Sequence, residues 1–276
     1  MSDKRFLGSI ITDNPTTPSG PFQDSVASGV WSLTEALTYT EAGLWPTAGN
    51  VAPFAFFFGG EAADQLTSID RFDLSSSGNA TDFGDLDVKR AQHGALGSRT
   101  RGVIAGGYDG TTYGTNRMTY ITFGTTGSGS DFGDLTQGRR GGPQSVTNDT
   151  RGVWICGRNS SSVNTDTMDY ITIATEGNAT DFGDANVARG FMQSGGASNG
   201  TRGVTGGGEP STNSIEYITI ASTGNGTDFG NMSAAKDNMS MCSNATRGIF
   251  FGGNTGNAIN TIEYITISAT GNTTDF

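Results

Sequence analysis

Short apolar runs that end on glycine, rather than long amphipathic stretches, set the rhythm of this chain. Phe56-Phe57-Phe58 stops at Gly59-Gly60, and Val103-Ile104-Ala105 stops at Gly106-Gly107, the pattern of a buried strand closed by a turn. Ile262-Glu263-Tyr264-Ile265-Thr266-Ile267 alternates apolar and polar positions and is rich in β-branched and aromatic residues, which suits a strand with one face buried. Thr223-Gly224-Asn225 follows an equivalent stretch; Gly and Asn tolerate positive φ, so a hairpin reverses there. A Thr-Asp-Phe piece then supplies the return strand, and the residues after it, such as Ala185 to Ser198, leave room for a fourth. No segment of this unit carries the helical apolar period of about 3.6 residues, which excludes helical repeats.

The unit recurs in phase. Its aspartate-phenylalanine string places Phe83, Phe132, Phe182, Phe229 and Phe276 at separations of 49, 50, 47 and 47 residues. Tyr-Ile-Thr-Ile/Phe begins at Tyr120, Tyr170, Tyr217 and Tyr264, with Phe72 in a more diverged first copy. Thr-Arg-Gly contributes Arg101, Arg151, Arg202 and Arg247, and a glycine doublet follows five residues later except after Arg151, where Cys156-Gly157 stands instead. Four short strands at this period describe a propeller blade. The expected fold is therefore all-β, a five-bladed β-propeller over residues 51–276. An open β-solenoid, the main competitor, needs polar caps on its end strands. The sequence instead runs to Phe276 in the middle of a unit. A closed ring is expected, with residues around Leu44 to Pro53 lying beside the C-terminal strand.

Residues 1–50 fall outside the repeat and read as a small attachment or docking segment. Phe6 to Ile11 suits a strand, and Asn14 to Gly20 is a turn-rich linker. Ser32-Leu-Thr-Glu35 forms a capping box ahead of a short helix through Ala36, Leu37 and Tyr39, which Gly43 is placed to end.

A hydrophobic strand ending in Gly-Gly, followed by two spaced aromatics, resembles the kelch motif over roughly residues 51–276. The spacing from Tyr to the second aromatic is longer than in that family, and the second aromatic is Phe rather than Trp. The repeat wording itself, with the N-terminal stretches Phe6 to Ile11 and Ser28 to Leu33, is similar to structural proteins of tailed marine bacteriophages. That resemblance implies a virion component assembled in the host cytoplasm, a tail-fibre or adhesin-like subunit. It further implies partners among other virion proteins, engaged through residues 1–50, within a multi-subunit assembly. A host-surface glycan or protein is the other partner it suggests.

Composition narrows the alternatives. With 27 acidic against 16 basic side chains the formal net charge is −11, a field that opposes phosphate backbones and anionic lipid surfaces. No nucleic-acid partner is expected. The longest apolar run, Val51 to Phe58, is far shorter than a membrane-spanning helix, so no membrane insertion is expected. The N-terminus carries no apolar core ahead of a cleavage site, so no secretory signal is expected, and the two cysteines, Cys156 and Cys242, read as free buried thiols.

Candidate chemistry is sparse. Asp-Phe-Gly lacks the phosphate loop and catalytic loop that would make it a kinase motif, and its repetition marks a structural role with Phe in the core between blades. Arg101, Arg151, Arg202 and Arg247 read as scaffold, pairing with a repeated aspartate such as Asp82 or Asp131 or with backbone carbonyls between blades. The single histidine, His93, supports neither a nucleophilic triad nor a zinc site. No catalytic residue, metal ligand or cofactor is assigned, and the chain is expected not to be an enzyme. The alternative is a carbohydrate-active, glycosidase-like enzyme using carboxylates around the axis. The loops between each glycine doublet and the tyrosine strand vary in length and letters. They are expected to share one face, where binding residues on rigid scaffolds usually sit. Tyr108, Asp109, Tyr113, Arg158 and Glu209 are the candidates there, because aromatic and charged loop tips suit glycans or protein surfaces.

Overall fold

A computed structural model of the chain describes residues 54–125, 127–192 and 195–276, together with Thr34, Leu37 and Thr38. The protein is all-β, with almost no helix among the described residues, and its five small sheets are the blades of a five-bladed β-propeller. Phe54–Phe58 (β1), Ser68–Asp73 (β2) and Thr81–Asp85 (β3) form the first sheet. The second runs in the order Gly94–Gly97 (β4), Arg101–Ala105 (β5), Arg117–Thr122 (β6) and Ser130–Asp134 (β7). In the third, the short strands Arg139–Arg140 (β8) and Gln144–Thr147 (β9) both pair with Arg151–Asn159 (β10), which is followed by Asn164–Thr172 (β11) and Thr180–Arg189 (β12). Ala197–Ser198 (β13), Arg202–Gly206 (β14), Thr212–Thr219 (β15) and Thr227–Lys236 (β16) make the fourth. Ser240–Ser243 (β17), Arg247–Phe251 (β18), Ile262–Thr266 (β19) and Thr274–Asp275 (β20) make the fifth. The strands expected between repeats exist as β4, β9, β13 and β17.

Contacts divide the chain into two units, residues 1–56 with 71–80, and residues 57–70 with 81–276. In the first, Arg71 lies 4.8 Å over the Phe54 ring, Phe54 and Phe56 meet edge to face, and Asp73 caps Ser75. Thr34, Leu37 and Thr38 are helical, as the capping-box reading expects of this stretch, and the Thr38 hydroxyl donates to the Thr34 carbonyl at 2.9 Å. The strand expected at Phe6 to Ile11, the linker at Asn14 to Gly20 and the closing strand near Leu44 to Pro53 lie outside the described residues.

The second unit repeats one seam. Arg101, Arg151, Arg202 and Arg247 lie 4.2, 4.3, 4.0 and 4.5 Å over the rings of Tyr120, Tyr170, Tyr217 and Tyr264. Each of those tyrosines meets, edge to face, the repeat phenylalanine twelve residues on, at 5.9 to 6.1 Å. The guanidinium then donates into the next copy, from Arg101 to the Ile173 carbonyl, from Arg151 to Ile220 and from Arg202 to Ile267. Of the two expected partners, the backbone carbonyls are the ones engaged. Asp82 and Asp131 do not pair with these arginines; Asp131 instead lies 3.7 Å from Arg117. Apolar clusters fill the same seams, for example Val103, Phe132 and Leu135 of the second sheet against Trp154, Ile171 and Ile173 of the third. Fully burying each such side chain is worth about 1.5–3 kcal/mol, so the seams dominate the packing.

Close approach explains the glycine of Asp-Phe-Gly. Gly183 has φ +135°, and a Cβ there would stand 2.6 Å from the Gly224 carbonyl oxygen of the next copy. Gly84, Gly133 and Gly230 repeat the arrangement against Gly127, Gly177 and Gly271. The next copy's turn amide in turn donates to the carbonyls of Phe83, Phe132, Phe182 and Phe229, all of which are buried. Phe276 breaks the expectation: it is 67% exposed, because no such turn is paired with it among the described residues. Cys242 is a second correction. It is exposed, since residues 242 and 243 of β17 lie on open sheet surface, whereas Cys156 is buried.

A further in-phase feature lies inside the seams. Arg90, Arg139, Arg189 and Lys236 follow the repeat phenylalanines by seven residues and are all fully buried. Arg139 pairs with Asp169, Arg189 with Glu216 and Lys236 with Glu263, each acid being the residue before the repeat tyrosine. In the second copy that position is Thr119, and the charge comes from Asp87 instead, with Arg90 bonded to both. Hydroxyl and acid have exchanged places: where Asp87 stands, the later copies carry Thr136, Asn186 and Ser233, which bond the acids through a side-chain hydroxyl or a backbone amide. A buried charge is tolerated only when paired and hydrogen-bonded, which explains why the carboxylate moves but is never lost in these four copies.

Candidate binding surface

The residue that follows each glycine doublet, or Cys156-Gly157 in the third copy, is Glu61, Tyr108, Arg158, Glu209 or Asn254. Tyr108, Arg158, Glu209 and Asn254 each form an antiparallel bridge to the linker entering their own blade, at Ala91, Arg140, Gly190 and Asp237 respectively. Three of the five sequence candidates thus occupy one equivalent position in three consecutive blades. One residue past these linker positions, Gln92, Gly141, Phe191 and Asn238 all have left-handed backbone, with φ of 57°, 78°, 48° and 50°. They are tied in succession: Gly142 N donates to Gln92 O, Met192 N to Gly141 O and Asn238 N to Phe191 O. A bulky residue held at positive φ costs on the order of 1–2 kcal/mol, so Phe191 is an outlier that its surroundings enforce.

The side chains join these positions into one strip. Tyr108 and Tyr113 stack with centroids 4.5 Å apart. Arg140 lies 4.8 Å over the Tyr113 ring and donates to Gln92 at 3.2 Å and to Ser162 at 3.1 Å. Directly opposite Arg140 on the neighbouring strand, Arg158 donates to Glu209 at 2.8 Å and to Asn164 at 2.9 Å, and lies 4.4 Å over Phe191. Tyr113 is half exposed. Asp109 is placed differently: it accepts from the Thr111 and Thr112 amides and the Thr111 hydroxyl, closing its own turn. Burial raises its pKa, but those hydrogen bonds outweigh it and hold the carboxyl below the usual range. The structure therefore brings together Tyr108, Tyr113, Arg158 and Glu209, gives Asp109 to the loop, and adds Arg140, Phe191 and Gln92, which sequence reasoning missed.

No protein-family model matches the chain, and no curated protein matches it.

A cavity of about 670 Å³ lies among the turns and strands that follow β4, β9 and β13. Its walls carry a ladder of hydroxyls between copies. Ser145 donates to Ala95 O, Thr147 to Gly97 O, Ser198 to Thr147 O and Ser243 to Ser198 O. Arg99 and Asp149 pair at its rim. These hydroxyls are committed to holding neighbouring strands together. No three His, Cys, Asp or Glu side chains among the described residues stand close enough to share a metal ion.

His93 occupies the place that Met192 and Met239 hold in later copies, packed against the second glycine of the doublet. Its Nε2 lies 2.8 Å from the Phe58 carbonyl, while Nδ1 is buried without a partner. Burial is the main cause of a pKa pushed down to about 4. Below about pH 6.5 the unfolded chain takes up a proton that the native site refuses, so stability is lost as pH falls from there towards 4. The loss should be about 3 kcal/mol by pH 4. His93→Met should flatten that part of the stability–pH profile in chemical denaturation; an unchanged slope would contradict the assignment.

Proposed function

We propose that this protein is a non-enzymatic recognition and assembly subunit. It docks through residues 1–50 and presents the loop face of its propeller to a glycan or protein surface, as a virion structural protein of the tail-fibre or adhesin kind does. One observation carries the reading. On a frame whose seam residues repeat copy after copy, the equivalent rim positions hold Glu61, Tyr108, Arg158, Glu209 and Asn254, and these, with Tyr113, Arg140 and Phe191, include a continuous aromatic–cation strip. Rigid scaffolds with chemically varied loop positions are built for binding, and aromatic rings beside charged donors suit sugar rings and their hydroxyls. The virion context rests on the wording of the repeats and of the N-terminal segment.

The test is a glycan array probed with the full chain, with Tyr113→Ala and Arg158→Ala as variants. Binding should fall at least about tenfold in either variant, with melting unchanged and no release of hydrolysed product. Turnover of a bound glycan would favour the glycosidase reading. Binding that both variants retain would place recognition elsewhere.

A further inference from the structure

We infer that Arg140 is the anchor of an anion site on the loop face, built for the carboxylate of an acidic sugar. This deepens the glycan reading above and rests on it. Arg139 and Arg140 are adjacent, yet only Arg139 belongs to the buried series that follows each repeat phenylalanine by seven residues. The equivalents of Arg140 in the other copies are Ala91, Gly190 and Asp237. Arg140 is thus an addition to one blade, and the frame does not require it.

Its electrostatics are incomplete. Arg140 and Arg158 are direct partners across antiparallel strands, so their side chains leave the sheet on the same side, where like charges repel. Arg158 is neutralised by Glu209 at 2.8 Å. Arg140 forms no ion pair among the described residues. Its Nη atoms are held by two neutral oxygens, those of Gln92 and Ser162, and its Nε is buried with no hydrogen-bond partner. In a chain with net charge −11, an arginine fixed in place with no acid beside it is a vacancy of charge rather than of space. A guanidinium matches a carboxylate through paired donors, and the half-exposed Tyr113 ring, sandwiched by Tyr108 and Arg140, supplies an apolar edge for a sugar ring to pack against. Glu209 sets the selectivity. It leaves one net positive charge across the two arginines, enough for a single carboxylate.

The experiment titrates the full chain with a tetragalacturonate, its fully methyl-esterified and therefore neutral form, and a tetraglutamate peptide, at low salt. The acidic sugar should bind about tenfold or more tightly than the ester. Arg140→Gln should remove that advantage, while Glu209→Gln, by releasing Arg158, should strengthen acid binding; the second variant keeps the test decisive if the first fails to fold. Equal binding of acid and ester would overturn the anion site and leave the glycan reading standing. Binding of the peptide without either sugar would overturn both. No binding of any probe would overturn the anion site, and the array alone would then decide the glycan reading.

Discussion

Replacing Arg139 with Met is expected to destabilise the native chain by about 4 kcal/mol at neutral pH, the cost of stranding one member of a buried ion pair. Both partners are fully buried, and Arg139 also donates to the Cys156 and Thr167 carbonyls at 3.2 and 2.7 Å. The substitution leaves Asp169 with the Thr136 hydroxyl and backbone amide and no charged partner. Burial already raises the Asp169 pKa against the opposing pull of Arg139, so without the arginine the carboxyl rises further. An acid whose pKa is raised in the folded state is most favourable when protonated. The deficit of the variant should therefore shrink as pH is lowered towards the ordinary carboxylate range and grow as pH rises. Replacing both residues, Arg139→Met with Asp169→Leu, should recover most of the loss, because a buried pair exchanged for apolar groups of similar size is often neutral. Denaturant midpoints for the three chains across pH check each step. A double variant as unstable as the single one would show that the pair does more than neutralise itself.

Much of the frame was legible because it repeats. Strings that recur at a period of 47 to 50 residues announce a blade, and the roles of Arg101, Tyr120 and Phe132 follow once they are seen to travel together. The buried cation recurs just as strictly, at Arg90, Arg139, Arg189 and Lys236, but two features hide it. Its letter changes from Arg to Lys, and its acid migrates between Asp87 and Asp169. A string comparison sees letters, whereas packing conserves a charge and its neutralisation. The same gap explains Phe276 and Cys242, where repeat letters did not guarantee repeat burial. At the loop face, Tyr108, Tyr113, Arg158 and Glu209 were legible as aromatic and charged tips. Asp109 looked identical in kind, but a carboxylate two residues before a threonine amide closes its own turn. Phe191 and Gln92 were hidden because nothing local in their sequence signals left-handed backbone, which the tie between successive linkers imposes.

The second large effect is expected from deleting the last six residues, Gly271 to Phe276. They hold the return strand of the fifth sheet and its ties to the fourth: Gly271 N to Phe229 O at 2.7 Å, Thr273 N to Asn231 O at 2.9 Å, and Asn231 N to the Asn272 side chain at 3.0 Å. Phe276 N to Ile262 O and the edge-to-face contact with Tyr264 are lost as well. In a linear array of repeats each unit leans only on its neighbours, and losing an end strand frays that end alone. In a propeller whose copies form one cooperative ring, the same deletion lowers the stability of every blade. Amide hydrogen exchange of β10 and β11 in the third sheet, two sheets away from the cut, separates these cases most directly. The account predicts that their protection falls to the level of the fifth sheet in the truncated chain. Protection of β10 and β11 equal to that of the full-length protein would contradict it.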